Sequence, residues 1–184
     1  MDGPVRPTDA KPTTMKYILP VLLLLPFWAQ AQSRDTYVGL DGALYFGRGY
    51  DPAPGFHLSG NAGIGKGMYL GAQVGLVHFR DLGGAYLPAQ LKFSFMPAGQ
   101  SGRAVPIVLL EPGYGFYDRK YRYGNGWYRR KGGFTFFAGV GAAFATRSKA
   151  RPVLTLGYSR FDFRDRDYRF SRDAFGLRFG VMIF

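Results

Sequence analysis

The chain has 184 residues, with 27 Gly, 13 Tyr, 17 Phe and a formal charge of +12. That length suggests one domain, or at most two. With no Cys there is no disulfide scaffold and no thiolate metal site, and the scattered Gly residues never form a phosphate-cradling loop that leads into a helix.

Residues 1–14 carry three Pro and no apolar run, and read as an over-called or extended N-terminus. Residues 15–31 have the layout of a signal peptide. Met15-Lys16 is followed by the apolar run Tyr17–Trp28 and by Ala29-Gln30-Ala31, so cleavage is expected after Ala31. The run holds Pro20 and Pro26 and is shorter than the ~20 residues that a transmembrane helix needs. Removing residues 1–31 takes away Arg6, Lys11, Lys16, Asp2 and Asp9, so the mature segment 32–184 carries about +11, a charge large enough to shape non-specific binding.

Eight alternating segments bounded by turn signals follow. The first, Thr36–Gly47, sets Val38, Leu40, Leu44 and Phe46 against Tyr37, Asp41 and Tyr45. Arg48–Gly55 is a loop by its Pro and Gly content. The second, Phe56–Gly65, sets Phe56, Leu58, Ala62 and Ile64 against His57, Ser59 and Asn61, and Lys66-Gly67 makes a tight turn. The third, Met68–Phe79, and the fourth, Ala85–Met96, flank a short loop at Arg80–Gly84. A turn at Pro97–Gly102 leads to the fifth, Arg103–Tyr117. Pro106 and Pro112 fall within it and predict a bulge or a late start, because Pro cannot donate to a strand ladder. Asp118–Lys131 reads as the longest loop. The sixth strand, Gly132–Thr146, has a small-residue face of Gly139, Gly141, Ala143 and Ala145. Arg147–Ala150 is a turn, and the seventh strand, Arg151–Phe163, separates its two faces poorly. Arg164–Arg172 is a loop into the last strand.

That last strand runs from Asp173 to Phe184. Phe175, Leu177, Phe179, Val181 and Ile183 form one wholly apolar parity, while Gly176, Arg178, Gly180, Met182 and Phe184 form a mixed one. Successive side chains of a strand point to opposite faces. A strand of this length with one greasy face suits a membrane barrel. The long loops alternate with the short turns, as expected if the N-terminus lies on the periplasmic side. No long segment has helical period, so neither a plug nor a separate periplasmic domain is expected. The alternative is a soluble lipocalin-like barrel or a β-sandwich, which would invert the faces. Charges concentrated in the loops favour the membrane form.

A final amphipathic strand closing on a terminal Phe resembles the assembly signal of bacterial outer-membrane β-barrels, and roughly residues 36–184 resemble the small, OmpA/OmpX-like eight-stranded class. The resemblance implies an all-β, antiparallel, up-and-down transmembrane barrel in the outer membrane of a Gram-negative bacterium. It also implies engagement of the barrel assembly machinery through Phe175–Phe184. The parity puts Phe184 with Arg178, so whether Phe184 faces lumen or lipid stays open at this point.

An eight-stranded barrel is narrow enough for its own side chains to fill. Asp41, Lys92, Glu111 and Arg178 are then expected to share the lumen and to pair, because isolated buried charges are costly. The sharper alternative is a narrow ion or small-solute channel.

Binding is expected in the outer loops. Arg119, Lys120, Arg122, Arg129, Arg130 and Lys131 are interleaved with Tyr121, Tyr123, Trp127 and Tyr128, and Arg164, Arg166, Arg169 and Arg172 form a second basic group near Asp165 and Asp167. Such side chains pair with phosphate. They also suit single-stranded nucleic acid, but loops outside the cell meet lipopolysaccharide instead, so no nucleic acid partner is expected. A solvated charge belt with no selected partner is the plain alternative. No cofactor and no metal are expected, and the barrel should be a monomer.

His57-Leu-Ser59-Gly-Asn61-Ala is the one catalytic-looking fragment. It loosely resembles the His-x-Ser-Asn-Ala run of outer-membrane lipid A deacylases, which are also eight-stranded barrels. It departs from that run by the inserted Gly60 and by its place on the second strand. The resemblance would make His57 a base and Ser59 a nucleophile in a lipid A-modifying hydrolase. Catalysis would need them within hydrogen-bond reach, with a third group behind His57. The expectation is therefore a non-enzymatic barrel with a structural or surface-interaction role.

Overall fold

In a computed structural model the alternating segments form one sheet that closes on itself. The structure describes residues 36–49, 51–97, 103–123, 126–165 and 168–184, and only the backbone of 121–123 and 126–128. The expected signal peptide and the segment before it lie outside the described residues.

The described residues form nine strands: β1 (Thr36–Phe46), β2 (Ala53–Gly65), β3 (Met68–Phe79), β4 (Gly84–Phe95), β5 (Ala104–Phe116), β6 (Asp118–Tyr123), β7 (Gly126–Phe144), β8 (Ala150–Arg164) and β9 (Arg169–Ile183). Each neighbour pairs antiparallel, β1 with β9 and β5 with β7 close the ring, and among the described residues β6 pairs only with β7. β6 continues β5 beyond Tyr117, so β5 and β6 are one stave and the wall has eight. Closure removes the sheet edges that an open eight-stranded sheet would expose.

Burial settles which face is which. On β1, Tyr37, Gly39, Asp41, Ala43 and Tyr45 are buried and the residues between them are exposed. Val38, Leu40, Leu44, Phe46, Phe56, Leu58, Leu70, Val74, Leu76, Leu87 and Leu91 all lie on the outside, more than a third exposed. Asp41, His57, Gln73, Lys92, Glu111 and Arg178 lie inside. A soluble barrel has the opposite arrangement. An apolar outer belt around a polar interior is that of a membrane-spanning barrel. Phe175, Leu177, Phe179 and Ile183 belong to this belt, so the last strand presents its apolar parity to lipid.

Several boundaries differ from the sequence reading. The expected loop Asp118–Lys131 is instead a two-stranded hairpin, paired from Asp118↔Lys131 to Tyr123↔Gly126. Its turn sequence Gly-Asn-Gly and its alternation of Arg or Lys with Tyr are strand and hairpin chemistry, which the charge density had masked. Part of the loop expected at Arg164–Arg172 is strand instead, because β8 and β9 stay paired out to Arg164↔Arg169. β2 starts at Ala53, inside the expected loop 48–55.

No bulge occurs at the two prolines. β5 holds one register against β7 from Ala104↔Phe144 to Tyr114↔Phe134. Pro106 lies beyond the last β4 pair, Phe95↔Val108, and Pro112 sits where the β4–β5 ladder skips between Gln90↔Gly113 and Phe93↔Leu110. Both missing N–H groups are thus accommodated without a register change. The register shifts are at Gly63/Gly65 and at Gly132/Thr135. The tight turn at Lys66-Gly67 has positive φ at both residues, 49° and 80°, as a two-residue hairpin of the primed type requires.

Candidate functional site

The lumen is filled in three layers. At the end away from Thr36 and Phe184, Tyr45, Phe79, Tyr86, Tyr117, Phe161 and Phe163 form a buried aromatic plug. Tyr45, Phe79 and Tyr86 each meet Phe161 edge to face, with ring centroids 5.1–5.5 Å apart. At the terminal end, Tyr37, Met96, Ile107, Leu109, Phe137, Val153 and Met182 form a second apolar cluster. Phe184 packs against it, 5.3 Å from the Tyr37 ring and 6.3 Å from Tyr69, with the Arg151 guanidinium 4.7 Å above its face. The terminal aromatic therefore faces the mouth of the lumen, and no bulge shifts it.

Between the plugs lies a polar layer. The structure brings the four expected charges together there. Arg178 Nη1 donates to Glu111 Oε2 at 2.6 Å, and Lys92 Nζ lies 3.5 Å from Asp41 Oδ2 and 3.7 Å from Glu111 Oε1. Gln73 Nε2 donates to Glu111 Oε2 (3.0 Å) and to Gln90 Oε1 (3.1 Å), and Gln90 Nε2 donates to the Glu111 carbonyl (2.9 Å). The Arg178 guanidinium also stacks 3.6 Å from the Phe137 ring centroid. Two cations meet two anions, so these four residues leave the layer neutral, as burial away from water demands. Glycines make room for these side chains. A Cβ at Gly75 would overlap the His57 ring, one at Gly180 the Asp41 carboxylate, and one at Gly115 the Tyr86 ring.

His57 and Ser59 sit in this same layer, 1% and 2% exposed. They do not engage each other. His57 Nε2 shares a 2.7 Å hydrogen bond with the Tyr45 hydroxyl, and Gln73 Nε2 lies 3.3 Å from His57 Nδ1. Ser59 Oγ accepts from Lys92 Nζ at 3.3 Å and from Asn61 Nδ2 at 3.1 Å. Both ring nitrogens are occupied, among the described residues no carboxylate bonds His57, and both residues are buried inside the wall. The nucleophile–base geometry that the fragment suggested is absent. Tyr45, Gln73 and Gln90 were missed as partners in the sequence, although alternation already set them on the inward parity.

The charged rim is built differently. Arg119 and Lys120 are exposed on β6, and Arg129 and Lys131 are exposed on β7, with Arg130 half-buried. Arg129 forks onto Asp118, with Nε donating at 2.7 Å, and that hydrogen bond lowers the Asp118 carboxyl below its ordinary value. Arg130 lies 4.9 Å from the Phe170 ring centroid. Arg122 and Trp127 lie on the hairpin backbone, and Arg166 lies outside the described residues. Arg164 and Arg169 are exposed and face each other across β8 and β9. The short loop 80–83 is tied to this rim. The Leu82 carbonyl accepts from Tyr117 OH at 2.8 Å and from Arg119 Nη1, and Arg172 forks onto the Asp81 carboxylate, with Nη1 donating at 2.9 Å.

No family model matches the chain, and no curated protein matches it. Solved structures do. The N-terminal β-barrel domain of Pseudomonas aeruginosa OprF is similar with a TM-score of 0.52 at 11% identity, over 82% of this chain and 98% of that one. Neisserial surface protein A is similar with a TM-score of 0.57, also at 11% identity, over 80% and 96%. At such identities the likeness concerns the fold: this chain has the eight-stranded antiparallel barrel of outer-membrane proteins.

Proposed function

We propose that the protein is an integral outer-membrane barrel with a sealed lumen, and that its work is done at the surface, where the basic rim contacts lipopolysaccharide or another anionic ligand. The observation that carries this reading is the division of charge. Lumen charges are matched one to one and buried between two plugs, while the rim has an excess of Arg and Lys. Replacing Arg129, Arg130 and Lys131 with Ala should weaken association with lipopolysaccharide at low salt, where such contacts are least screened. Unchanged association would overturn the proposal. The apolar strand Phe175–Ile183 supports engagement of the assembly machinery, and the closed ring supports a monomer.

Two other readings have their own tests. A small-solute channel would give a steady open conductance in a planar bilayer; the two plugs argue for none. A lipid A hydrolase would change the lipid A mass spectrum of expressing cells, and Ser59→Ala would abolish the change. The separation of His57 from Ser59 argues for identical spectra.

A further inference from the structure

At the rim of β7, β8 and β9 the outside of the wall has a notch. The register shift between Gly132↔Phe163 and Thr135↔Phe161 places an extra residue in β7, and such a bulge interrupts the wall. Gly132 and Gly133 contribute no side chain there. The resulting groove, about 430 Å³, is lined on one side by Tyr114 and Phe134 and on the other by Arg160, Asp162, Arg164 and Arg169.

Three observations point to what the notch holds. First, Arg164 and Arg169 stand directly opposite each other and both are exposed; Lys131, opposite Arg164 on its other side, has Asp118 opposite it in turn. Like charges directly opposite one another destabilise a sheet, and an anion between them would reverse the sign. Second, the acid in the groove is already engaged: Asp162 Oδ1 accepts from Arg160 Nε at 3.0 Å. Among the described residues no carboxylate pairs with Arg164 or Arg169. Third, the wall below is apolar. Leu154, Leu156, Phe134, Val140, Leu177 and Phe179 are all exposed on it, and the first outward charges above it are Arg160 and Asp173. The groove thus joins a cationic ledge to a surface for hydrocarbon.

We propose that this notch seats the phosphate of a phosphorylated membrane lipid, with Arg164 and Arg169 on the phosphate oxygens, Tyr114 and Phe134 against the headgroup, and acyl chains along the apolar wall. Arg is suited to such paired contacts. The inference rests on the reading that the rim contacts anionic lipid, and it narrows that contact to one place.

The test uses the purified full barrel in detergent, with bound lipid counted by native mass spectrometry. The probes are diphosphoryl lipid A, the same lipid stripped of phosphate, and inorganic phosphate. The expected result is preferential retention of the diphosphoryl form, cut at least about tenfold, or about 1.4 kcal/mol, in Arg164→Gln/Arg169→Gln. Heat-modifiable migration of that variant should match wild type, which separates lost binding from lost fold. Equal retention of the phosphate-free lipid, full displacement by inorganic phosphate, or unchanged retention by the Gln variant would each overturn the proposal. An Arg129→Ala/Arg130→Ala variant separates the two claims. If it loses lipid while the notch variant keeps it, the broader reading stands and the notch does not. If neither loses lipid, both fall.

Discussion

Charge is handled in opposite ways in the lumen and on the rim. Inside, Asp41, Lys92, Glu111 and Arg178 are buried, matched in sign and held by Gln73, Gln90 and Ser59. Outside, Arg164 and Arg169 face each other with one sign and no paired carboxylate among the described residues, exposed to whatever lies around the barrel. Matched buried charges specify how a fold closes. Unmatched surface charges cost stability and are expected where a partner supplies the opposite sign. The two sets should therefore respond differently to the same kind of substitution.

The largest effect is expected in the lumen. Glu111→Ala leaves Arg178 and Gln73 without their shared acceptor and makes the layer net positive. Removing one member of a buried ion pair costs ~3–5 kcal/mol, which should appear as a large drop in the urea midpoint of the heat-modifiable band. Glu111→Leu with Arg178→Leu keeps Lys92 opposite Asp41 and restores neutrality, so it should cost less than the single change. If the pair of substitutions costs more, charge balance is not what holds the layer.

A second contrast uses glycines. Gly75 and Gly115 face the lumen, where an added Cβ overlaps His57 or Tyr86, whereas an added Cβ at the outward-facing Gly42 meets nothing closer than 3.8 Å. Gly75→Ala and Gly115→Ala should each cost ~1–3 kcal/mol by overpacking. Gly42→Ala should change the same unfolding midpoint by less than about 0.5 kcal/mol. Equal effects at the three sites would mean that the lumen is looser than its packing indicates.

These contrasts also mark what could be read from the chain alone. The eight staves and the inward parity of Asp41, Lys92, Glu111 and Arg178 follow from a period of two, which one sequence displays in full. The pairing of those charges followed too, because a narrow ring leaves them nowhere else to go. The hairpin at 118–131 was hidden because its Arg and Lys resemble a solvated loop, though alternation with Tyr and the Gly-Asn-Gly turn were signals of strand. The notch was not legible. It depends on the bulge at Gly132/Thr135, and a bulge depends on how two distant strands meet. The different partners of His57 and Ser59 were equally invisible, since two residues on one face can pair with each other or with neighbouring strands, and here Tyr45, Gln73 and Lys92 took those positions.

On the rim, Arg164→Gln with Arg169→Gln should move the unfolding midpoint by no more than about 0.5 kcal/mol, and in the stabilising direction if repulsion across β8 and β9 is felt. Chemical denaturation of the lipid-free barrel measures this directly. A large loss would place these arginines with the lumen charges, as part of the fold.

The smallest effect concerns a rim contact that resembles the lumen in joining opposite charges, the fork of Arg172 on Asp81. Burial alone would raise the Asp81 carboxyl, but the hydrogen bonds and charge of Arg172 outweigh it and hold the group below its ordinary value. A carboxylate whose value is lowered by folding stabilises the folded state above the ordinary carboxylate pKa of ~3.9. That stabilisation fades as pH falls through the lowered value. Loop 80–83 should therefore loosen only below about pH 4, by no more than ~1 kcal/mol, because an ion pair this exposed is screened by water. Amide exchange at Leu82 and Gly83, compared between pH 6 and pH 3 after correction for intrinsic rates, would register the change. Asp81→Asn should abolish the pH dependence. The loop should not detach even then, because the Leu82 carbonyl still accepts from the Tyr117 hydroxyl. An exchange rate at Gly83 that rose to the free-chain value in acid would mean that Arg172, and not Tyr117, is the anchor.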